Sequence, residues 1–286
     1  MYLGHFGLRE MPFGITPDTS FAYACTAHQE AINTLMVAVA SGEGFMKITG
    51  EVGTGKTLLC RRFLDLLGPD YVTAYIPNPY LEPRTLLLAL AGELSLELDQ
   101  VENQPWDQYR LVKALTVALL DQARQNKRVV VCLDEVQAMP TETLEALRLL
   151  TNLETQKRKL LQVVLFGQPE LDARLAQPAV RQLRQRITFE YRLKALDRRE
   201  LDFYLAHRLR VAGYRAERLF TEPAVRQLHR VTKGVPRLVN IVAHKSLLLG
   251  FGAGVQRIEP AQISAAAADT PAVASRGRWW SLLARI

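Results

Sequence analysis

The sequence predicts an α/β fold in which a parallel five-stranded sheet lies between helices and a small all-helical domain follows. Short strand patterns alternate with helical patterns over residues 1–193, and this alternation is typical of a parallel sheet covered on both faces. After that point the patterns are helical only, so a helical lid domain is expected over residues 194–268. Residues 269–286 are expected to form a basic, aromatic tail.

The composition indicates an ordinary folded protein. Of its 286 residues, 48% are hydrophobic and 23% are charged, which argues against disorder. The three cysteines lack metal-like spacing, and their odd number argues against a disulfide framework. The sequence shows neither a signal peptide nor an apolar run long enough to cross a membrane, so a cytoplasmic protein is expected. A net charge of +7 is compatible with nucleic acid or an anionic membrane surface, but identifies neither.

A glycine-rich loop fits the phosphate-binding pattern G-x-x-x-x-G-K-[ST] at every fixed position. It consists of Gly50, Glu51, Val52, Gly53, Thr54, Gly55, Lys56 and Thr57. A strand pattern over Phe45 to Thr49 precedes it and a helical pattern over Leu58 to Leu67 follows, which disfavours a chance glycine turn. Glycines let successive N–H groups point at a polyphosphate, and the helix N-terminus also favours an anion. Lys56 is therefore predicted to bind the β and γ phosphates and Thr57 to bind Mg²⁺, with Leu58 adjoining the nucleotide.

A second motif is an acidic pair after a continuous apolar run. Val129 to Leu133 is typical of a central strand buried on both faces, and Asp134 and Glu135 follow where that strand would end. In a parallel sheet this end is the ligand-binding edge. We assign Asp134 to the hydration shell of Mg²⁺ and Glu135 to the polarisation of an attacking water. The alternative is a solvated acidic turn, which the upstream phosphate loop makes less favourable.

Other elements follow the same alternation. Strands are predicted at Tyr71–Ile76, Leu161–Phe166 and Ile187–Glu190, and helices at Thr26–Ala40, Pro83–Leu94, Trp106–Gln122 and Thr141–Glu154. Gln168 follows one of these strands and is expected beside the γ-phosphate, unless it is only a turn amide.

An arginine cluster precedes the last strand pattern. It contains Arg181, Arg184 and Arg186. Guanidinium groups suit phosphoryl oxygens, and an arginine supplied across a subunit interface raises turnover by about 10³ to 10⁵. The cluster is therefore either an arginine finger, which requires an oligomer, or a solvated face.

The helical region begins with a capping box. Asp197 to Glu200 opens a helix through about Val211, and further helices begin near Thr221 and at Gly234-Val235-Pro236-Arg237. Arg237 lies near a helix N-terminus, where a cation opposes the dipole, so a contact with nucleotide phosphate is one reading and a surface arginine the other.

The terminal stretch Arg276 to Ile286 suits a membrane interface or a partner groove, or is a loose tail.

These motifs, in this order, resemble AAA+ P-loop ATPases, and in particular the ExeA/GspA-type secretion and pilus-assembly ATPases, whose short forms include MshM proteins. The shared marks are the opening Phe6-Gly7-Leu8, Pro12-Phe13 and Pro17-Asp18, the phosphate loop, Asp134-Glu135-Val136-Gln137, Phe166-Gly167-Gln168-Pro169-Glu170-Leu171 and Gly234-Val235-Pro236-Arg237. The resemblance implies that Gln168 is the first sensor, Arg237 the second sensor, Asn78 a switch partner of Glu135, and that a finger lies within Arg181 to Arg186.

The resemblance also implies a function. It predicts hydrolysis of MgATP by a ring-like homo-oligomer that supports assembly of a type II secretion or type IV (MSHA-like) pilus complex with an inner-membrane protein. ExeA-like proteins carry a transmembrane helix and a peptidoglycan-binding part after the ATPase core, and the sequence shows neither, which favours a short form. The alternative is a DNA-binding AAA+ ATPase that regulates transposition or replication, because such proteins share this core and the helical region is basic.

Overall fold

The computed structural model describes residues 2–16, 19–21, 23, 25–77, 80–95, 107–150, 153–155 and 158–273. Within them, five strands form one sheet in the order β2-β3-β4-β1-β5, and every neighbouring pair is parallel. The strands are β1 (Phe45–Gly50), β2 (Tyr71–Ile76), β3 (Arg128–Leu133), β4 (Leu161–Gly167) and β5 (Ile187–Leu193). The predicted fold class is confirmed.

Each helix predicted from the sequence is present, although one is shorter than predicted, and the structure adds helices that the sequence analysis did not predict. They are α1 (Tyr2–His5), α2 (Thr26–Ala40), α3 (Lys56–Leu66), α4 (Pro83–Glu93), α5 (Gln108–Arg124), α6 (Thr141–Leu150), α7 (Glu170–Leu175), α8 (Arg181–Arg184), α9 (Arg198–Val211), α10 (Glu222–Thr232), α11 (Pro236–Gly252) and α12 (Pro260–Ala268). The prediction that α6 extends to Glu154 was wrong. The backbone of Glu154 instead forms an antiparallel bridge with Lys159, and this pairing is incompatible with a helix.

The chain divides into two compact units. The sheet unit contains Ala27–Gly50 and Leu59–Leu193, and the helical unit contains Met1–Thr26, Glu51–Leu58 and Lys194–Ile286. The phosphate loop therefore belongs to the same compact unit as the C-terminal helices, whereas the strand before it belongs to the other unit. The domain boundaries expected from the sequence stay a prediction.

The sheet is buried on both faces, as the apolar run in β3 predicts. Val129, Val131 and Leu133 point to one face, which helices α4 to α7 cover, whereas Val130 and Cys132 point to the other, against α2 and α3. Alternate residues of a strand face opposite sides, so a strand with helices on both faces is apolar throughout. Full burial of each such side chain stabilises the fold by about 1.5–3 kcal/mol.

In the helical unit, the opening segment of the chain packs on the C-terminal helices. Phe13 packs edge-on against Phe220, with ring centroids 5.8 Å apart. Arg208 is buried, donates from Nε to the carbonyl of Pro12 at 2.5 Å, and places its guanidinium 4.9 Å from the ring centroid of Phe21. Phe13 and Phe21 are therefore core residues of the helical unit.

A tight turn sets the start of α11. Gly234 has a φ of +72°, and its carbonyl accepts a hydrogen bond from the N–H of Leu196 at 3.0 Å. A Cβ atom at this position would lie 1.9 Å from the carbonyl oxygen of Leu196. That oxygen also lies 3.2 Å from Nε2 of His229. Only glycine satisfies both the backbone conformation and the close approach.

Replacement of this glycine tests the turn. Gly234→Ala should lower the free energy of unfolding by more than Gly254→Ala. Both glycines have positive φ, but a Cβ at Gly254 meets nothing within 4 Å. The control therefore carries only the left-handed strain of about 1–2 kcal/mol, whereas Gly234→Ala adds a backbone clash. Chemical unfolding measures both variants. Equal losses would contradict the close approach to Leu196.

Candidate active site

The candidate site residues of the sheet unit lie at one edge of the sheet. Gly50 ends β1, Asp134 follows β3 and Gln168 follows β4. Because these strands are parallel and neighbouring, their carboxyl ends lie side by side. The phosphate loop leaves the sheet from this same edge, since Glu51 follows Gly50 directly.

The loop has the backbone that the glycine pattern predicts. Gly53 and Gly55 have φ values of +82° and +93°. The carbonyl of Glu51 accepts hydrogen bonds from the N–H of Thr54 at 3.2 Å and from its hydroxyl at 2.8 Å. Lys56 is 5% exposed, and its Nζ donates to the same carbonyl at 3.2 Å. The loop thus curls around the carbonyl of Glu51, which also accepts the hydrogen bond from Lys56.

Arg237 contacts this loop within the helical unit. Its backbone N–H, in the first turn of α11, donates to the carbonyl of Gly53 at 3.2 Å. A Cβ atom built on Gly53 would lie 2.5 Å from Cβ of Arg237. The first turn of α11 and the loop therefore touch through a glycine that has no side chain. The role of Arg237 as a second sensor stays a prediction.

Asp134 is a buried carboxylate that accepts hydrogen bonds from Glu135 and Tyr75. It is 2% exposed, and Oδ1 accepts from the N–H of Glu135 at 2.9 Å. The hydroxyl of Tyr75, on β2, donates to Oδ2 at 3.4 Å. Burial and the negative charge of Asp134 raise the pKa of Tyr75, so its hydroxyl stays protonated and can donate. The sequence analysis had not singled out Tyr75, because a tyrosine in an alternating strand carries no distinctive signal.

Glu135 is held by two side-chain amides. Nε2 of Gln137 and Nε2 of Gln168 both donate to its Oε2, at 2.5 Å and 3.0 Å. Its backbone is left-handed, with φ 54° and ψ 36°. This conformation is strained for a residue other than glycine, and residues strained in this way cluster at functional sites. The structure therefore brings together Glu135 and Gln168, which the sequence had predicted separately. It adds Gln137, for which the sequence analysis had given no role.

The three candidate finger residues lie beside the start of β5. Arg181 and Arg184 are in α8 and Arg186 precedes the strand, and all three are exposed. Arg184 lines a cavity of about 190 Å³ together with Lys47 and Glu190. Exposure is compatible with both a finger and a solvated face, so the finger role stays a prediction.

The same cavity is lined by a buried lysine that pairs with two exposed carboxylates. Nζ of Lys47, on β1, lies 2.5 Å from Asp172 and 2.6 Å from Glu190. Burial by itself lowers the pKa of this lysine, but its hydrogen bonds to the two carboxylates outweigh that effect and leave the pKa raised. These ion pairs link β1 to α7 and β5 as a structural feature of the sheet unit.

Two predicted elements lie outside the described residues. They are Asn78, the expected switch partner, and the tail Arg276 to Ile286.

The donor atoms suit a nucleotide with Mg²⁺. Thr57 offers a hydroxyl oxygen and Asp134 a carboxylate oxygen, which are the hard ligands that Mg²⁺ prefers. The described residues contain no group of three or more His, Cys, Asp or Glu side chains that could hold a metal by themselves. Mg²⁺ is commonly bound by one or two protein oxygens together with substrate phosphates, so a hydroxyl and a carboxylate are ligands of the kind that MgATP uses.

The site and the fold define a class of protein. An AAA domain profile matches residues 39–175. The chain resembles the solved structure of Cdc6p from Pyrobaculum aerophilum with a TM-score of 0.68 at 15% identity, covering 88% of this chain and 70% of that one. It resembles an Aeropyrum pernix ORC2 structure, described as ADPNP-ADP complexes, with a TM-score of 0.60 at 17% identity, covering 89% and 72%. The chain is an AAA+ P-loop ATPase.

Sequence similarity narrows this class. The chain is 42% identical over 285 residues to General secretion pathway protein A of Aeromonas hydrophila, which covers 98% of this chain and 50% of the relative. The chain belongs to the ExeA/GspA-type family of AAA ATPases. It spans about half the length of the curated relative it matches. Among the helices the structure describes, none combines the length and apolar character needed to cross a bilayer.

Substitution of a loop glycine tests the contact with α11. Gly53→Ala should weaken ATP binding about tenfold or more, because left-handed strain of about 1–2 kcal/mol opposes the curled loop and a Cβ would press on Arg237. Equilibrium titration with a fluorescent ATP analogue measures the affinity. Gly68→Ala is the control, since its Cβ meets nothing within 4 Å. Wild-type affinity in Gly53→Ala would contradict the curled loop as the binding conformation.

Proposed function

We propose that this chain binds MgATP and hydrolyses it with Glu135 orienting the attacking water. The observation that carries the proposal is the carboxylate of Glu135, held by two amides next to the buried Asp134 at the edge from which the phosphate loop leaves. Bound MgATP would supply the phosphoanhydride bond. Lys56 then neutralises phosphate charge, and Thr57 and Asp134 hold the metal.

The amide of Gln168 supports a sensing role. It reaches Glu135 from the end of β4, and it is the side chain that the sequence analysis expects beside the γ-phosphate. Gln168 is therefore proposed to report the phosphate to Glu135.

The proposed active unit is a ring-like homo-oligomer. Its support is the exposed arginine cluster, from which one side chain would reach the nucleotide of a neighbouring subunit. Contact between the first turn of α11 and Gly53 offers a route from nucleotide state to helix position, with Arg237 as the second sensor. Asn78 is kept as the proposed switch partner of Glu135.

The proposed cellular role is to support assembly of a type II secretion or type IV (MSHA-like) pilus complex. The similarity to General secretion pathway protein A over nearly the whole of this chain supports it. On this proposal the chain acts in the cytoplasm at the inner membrane with a membrane-protein partner. Arg276 to Ile286 would provide a peripheral contact.

Turnover with and without DNA tests this role. The purified protein should hydrolyse ATP at a rate that duplex DNA, titrated at physiological salt, does not change by more than about twofold, because salt weakens binding that is only electrostatic. Strong stimulation by DNA would instead support a regulator of transposition or replication. Absence of turnover under all conditions, including high protein concentration, would overturn the hydrolysis proposal.

Removal of the proposed water-orienting carboxylate tests the chemistry. Glu135→Gln should lower kcat by about 10² to 10⁴, because the amide cannot polarise water as a carboxylate does, while ATP still binds. Lys56→Ala should instead lose ATP binding, because a buried ammonium is removed from the loop. Glu142→Gln and Lys113→Ala, at exposed helix positions, are the matched controls. Normal turnover in Glu135→Gln would remove this residue from the mechanism.

A further inference from the structure

Gln137 connects the acidic pair to the end of β4. It lies in the short 3-10 turn Val136–Ala138 that follows Glu135. Its Oε1 accepts a hydrogen bond from the backbone N–H of Gln168 at 2.9 Å, and its Nε2 donates to Oε2 of Glu135 at 2.5 Å. Both ends of the amide are therefore engaged.

The surroundings determine which way this amide points. A backbone N–H can only donate, so the oxygen of the amide must face Gln168 and the NH₂ group must face Glu135. The reverse orientation would place the amide oxygen against a carboxylate oxygen and the NH₂ group against an N–H. Gly167 permits the arrangement, since a Cβ there would lie 3.2 Å from Oε1 of Gln137.

The turn that carries Gln137 is itself anchored. Val136, the first residue of this turn, and Met139, directly after it, are fully buried. The guanidinium of Arg174, on α7, donates to the backbone carbonyl of Gln137. The backbone that carries the amide is thus fixed by packing and by a hydrogen bond from α7.

The carboxylate of Glu135, in contrast, depends on its neighbours. Among the described residues, the side-chain hydrogen bonds that reach it come from Gln137 and Gln168, and both end on Oε2. Gln168 is the amide proposed to respond to the γ-phosphate, so its bond to Glu135 changes when it does. Gln137 then provides the donor that stays in place.

We propose that Gln137 is a positioning residue that holds Oε2 of Glu135 and so directs the other carboxylate oxygen to the attacking water. This inference rests on the proposed hydrolysis of ATP. It assigns to Gln137 a role distinct from that of Gln168, because Gln137 is fixed by the main chain of β4 and by α7.

Two substitutions separate positioning from support of the fold. Gln137→Ala removes both hydrogen bonds of the amide. Gln137→Glu is nearly isosteric and keeps an oxygen for the N–H of Gln168, but replaces the donor to Glu135 with a second carboxylate. Gln29→Ala, which removes an exposed amide bonded to Asn33 on α2, is the control. Thermal unfolding verifies that each variant folds.

Steady-state kinetics and ATP affinity give the expected result. Gln137→Ala should lower kcat about 10- to 100-fold, as expected when a reacting group is misplaced, while ATP affinity changes by no more than about twofold. Gln137→Glu should be at least as impaired, because a second carboxylate would lie against Oε2 of Glu135 where the amide of Gln137 donates. The charged neighbours Asp134 and Arg174 are unchanged in every variant.

Each outcome bears on a separate statement. If Gln137 only supports the backbone that follows β4, Gln137→Glu, which keeps an oxygen for the N–H of Gln168, will match wild type, and the positioning role is overturned. A kcat of Gln137→Ala equal to that of Gln29→Ala also overturns it, provided that the unaltered protein hydrolyses ATP. If the unaltered protein has no turnover, the proposed function fails first and this inference with it.

Discussion

Parallel pairing of β1, β3 and β4 is the constraint on which the candidate site of the sheet unit depends. Leu133 is in register with Leu165, and Thr49 with Gly167, so these strands end together. Each strand is buried on both faces, and a slip by one residue would exchange the two faces of the strand and move its C-terminal residue along the edge. Apolar packing therefore decides where the polar residues after each strand lie.

Three glycines permit close contacts, two of them within the helical unit and one within the sheet unit. Gly53 admits the first turn of α11, Gly167 admits the amide of Gln137, and Gly234 admits the carbonyl of Leu196. At each position a Cβ would approach a neighbour more closely than van der Waals contact allows. Two of these glycines also adopt positive φ, so both the conformation and the space favour the absence of a side chain.

The polar groups at the site are linked to one another in a definite order. Asp134 accepts from the backbone of Glu135, whose carboxylate accepts from Gln137, whose oxygen accepts from the backbone of Gln168. Buried polar groups need such partners, because an unsatisfied group costs about 1–3 kcal/mol. The chain of hydrogen bonds joins the end of β3 to the end of β4, and any change at Gln168 has a direct structural route to Glu135.

Local signals in the sequence were sufficient for the fold class, the phosphate loop and the acidic pair. The apolar run of β3, the glycine spacing and the capping box at Asp197 each depend on residues close together in the chain, so periodicity and spacing reveal them. The tertiary structure alone decided that Gln137 and Gln168 share one oxygen of Glu135, that Tyr75 reaches Asp134, and that α6 ends before Glu154. These features depend on which segments distant in sequence become neighbours, and a glutamine or tyrosine has no local pattern that specifies its partner.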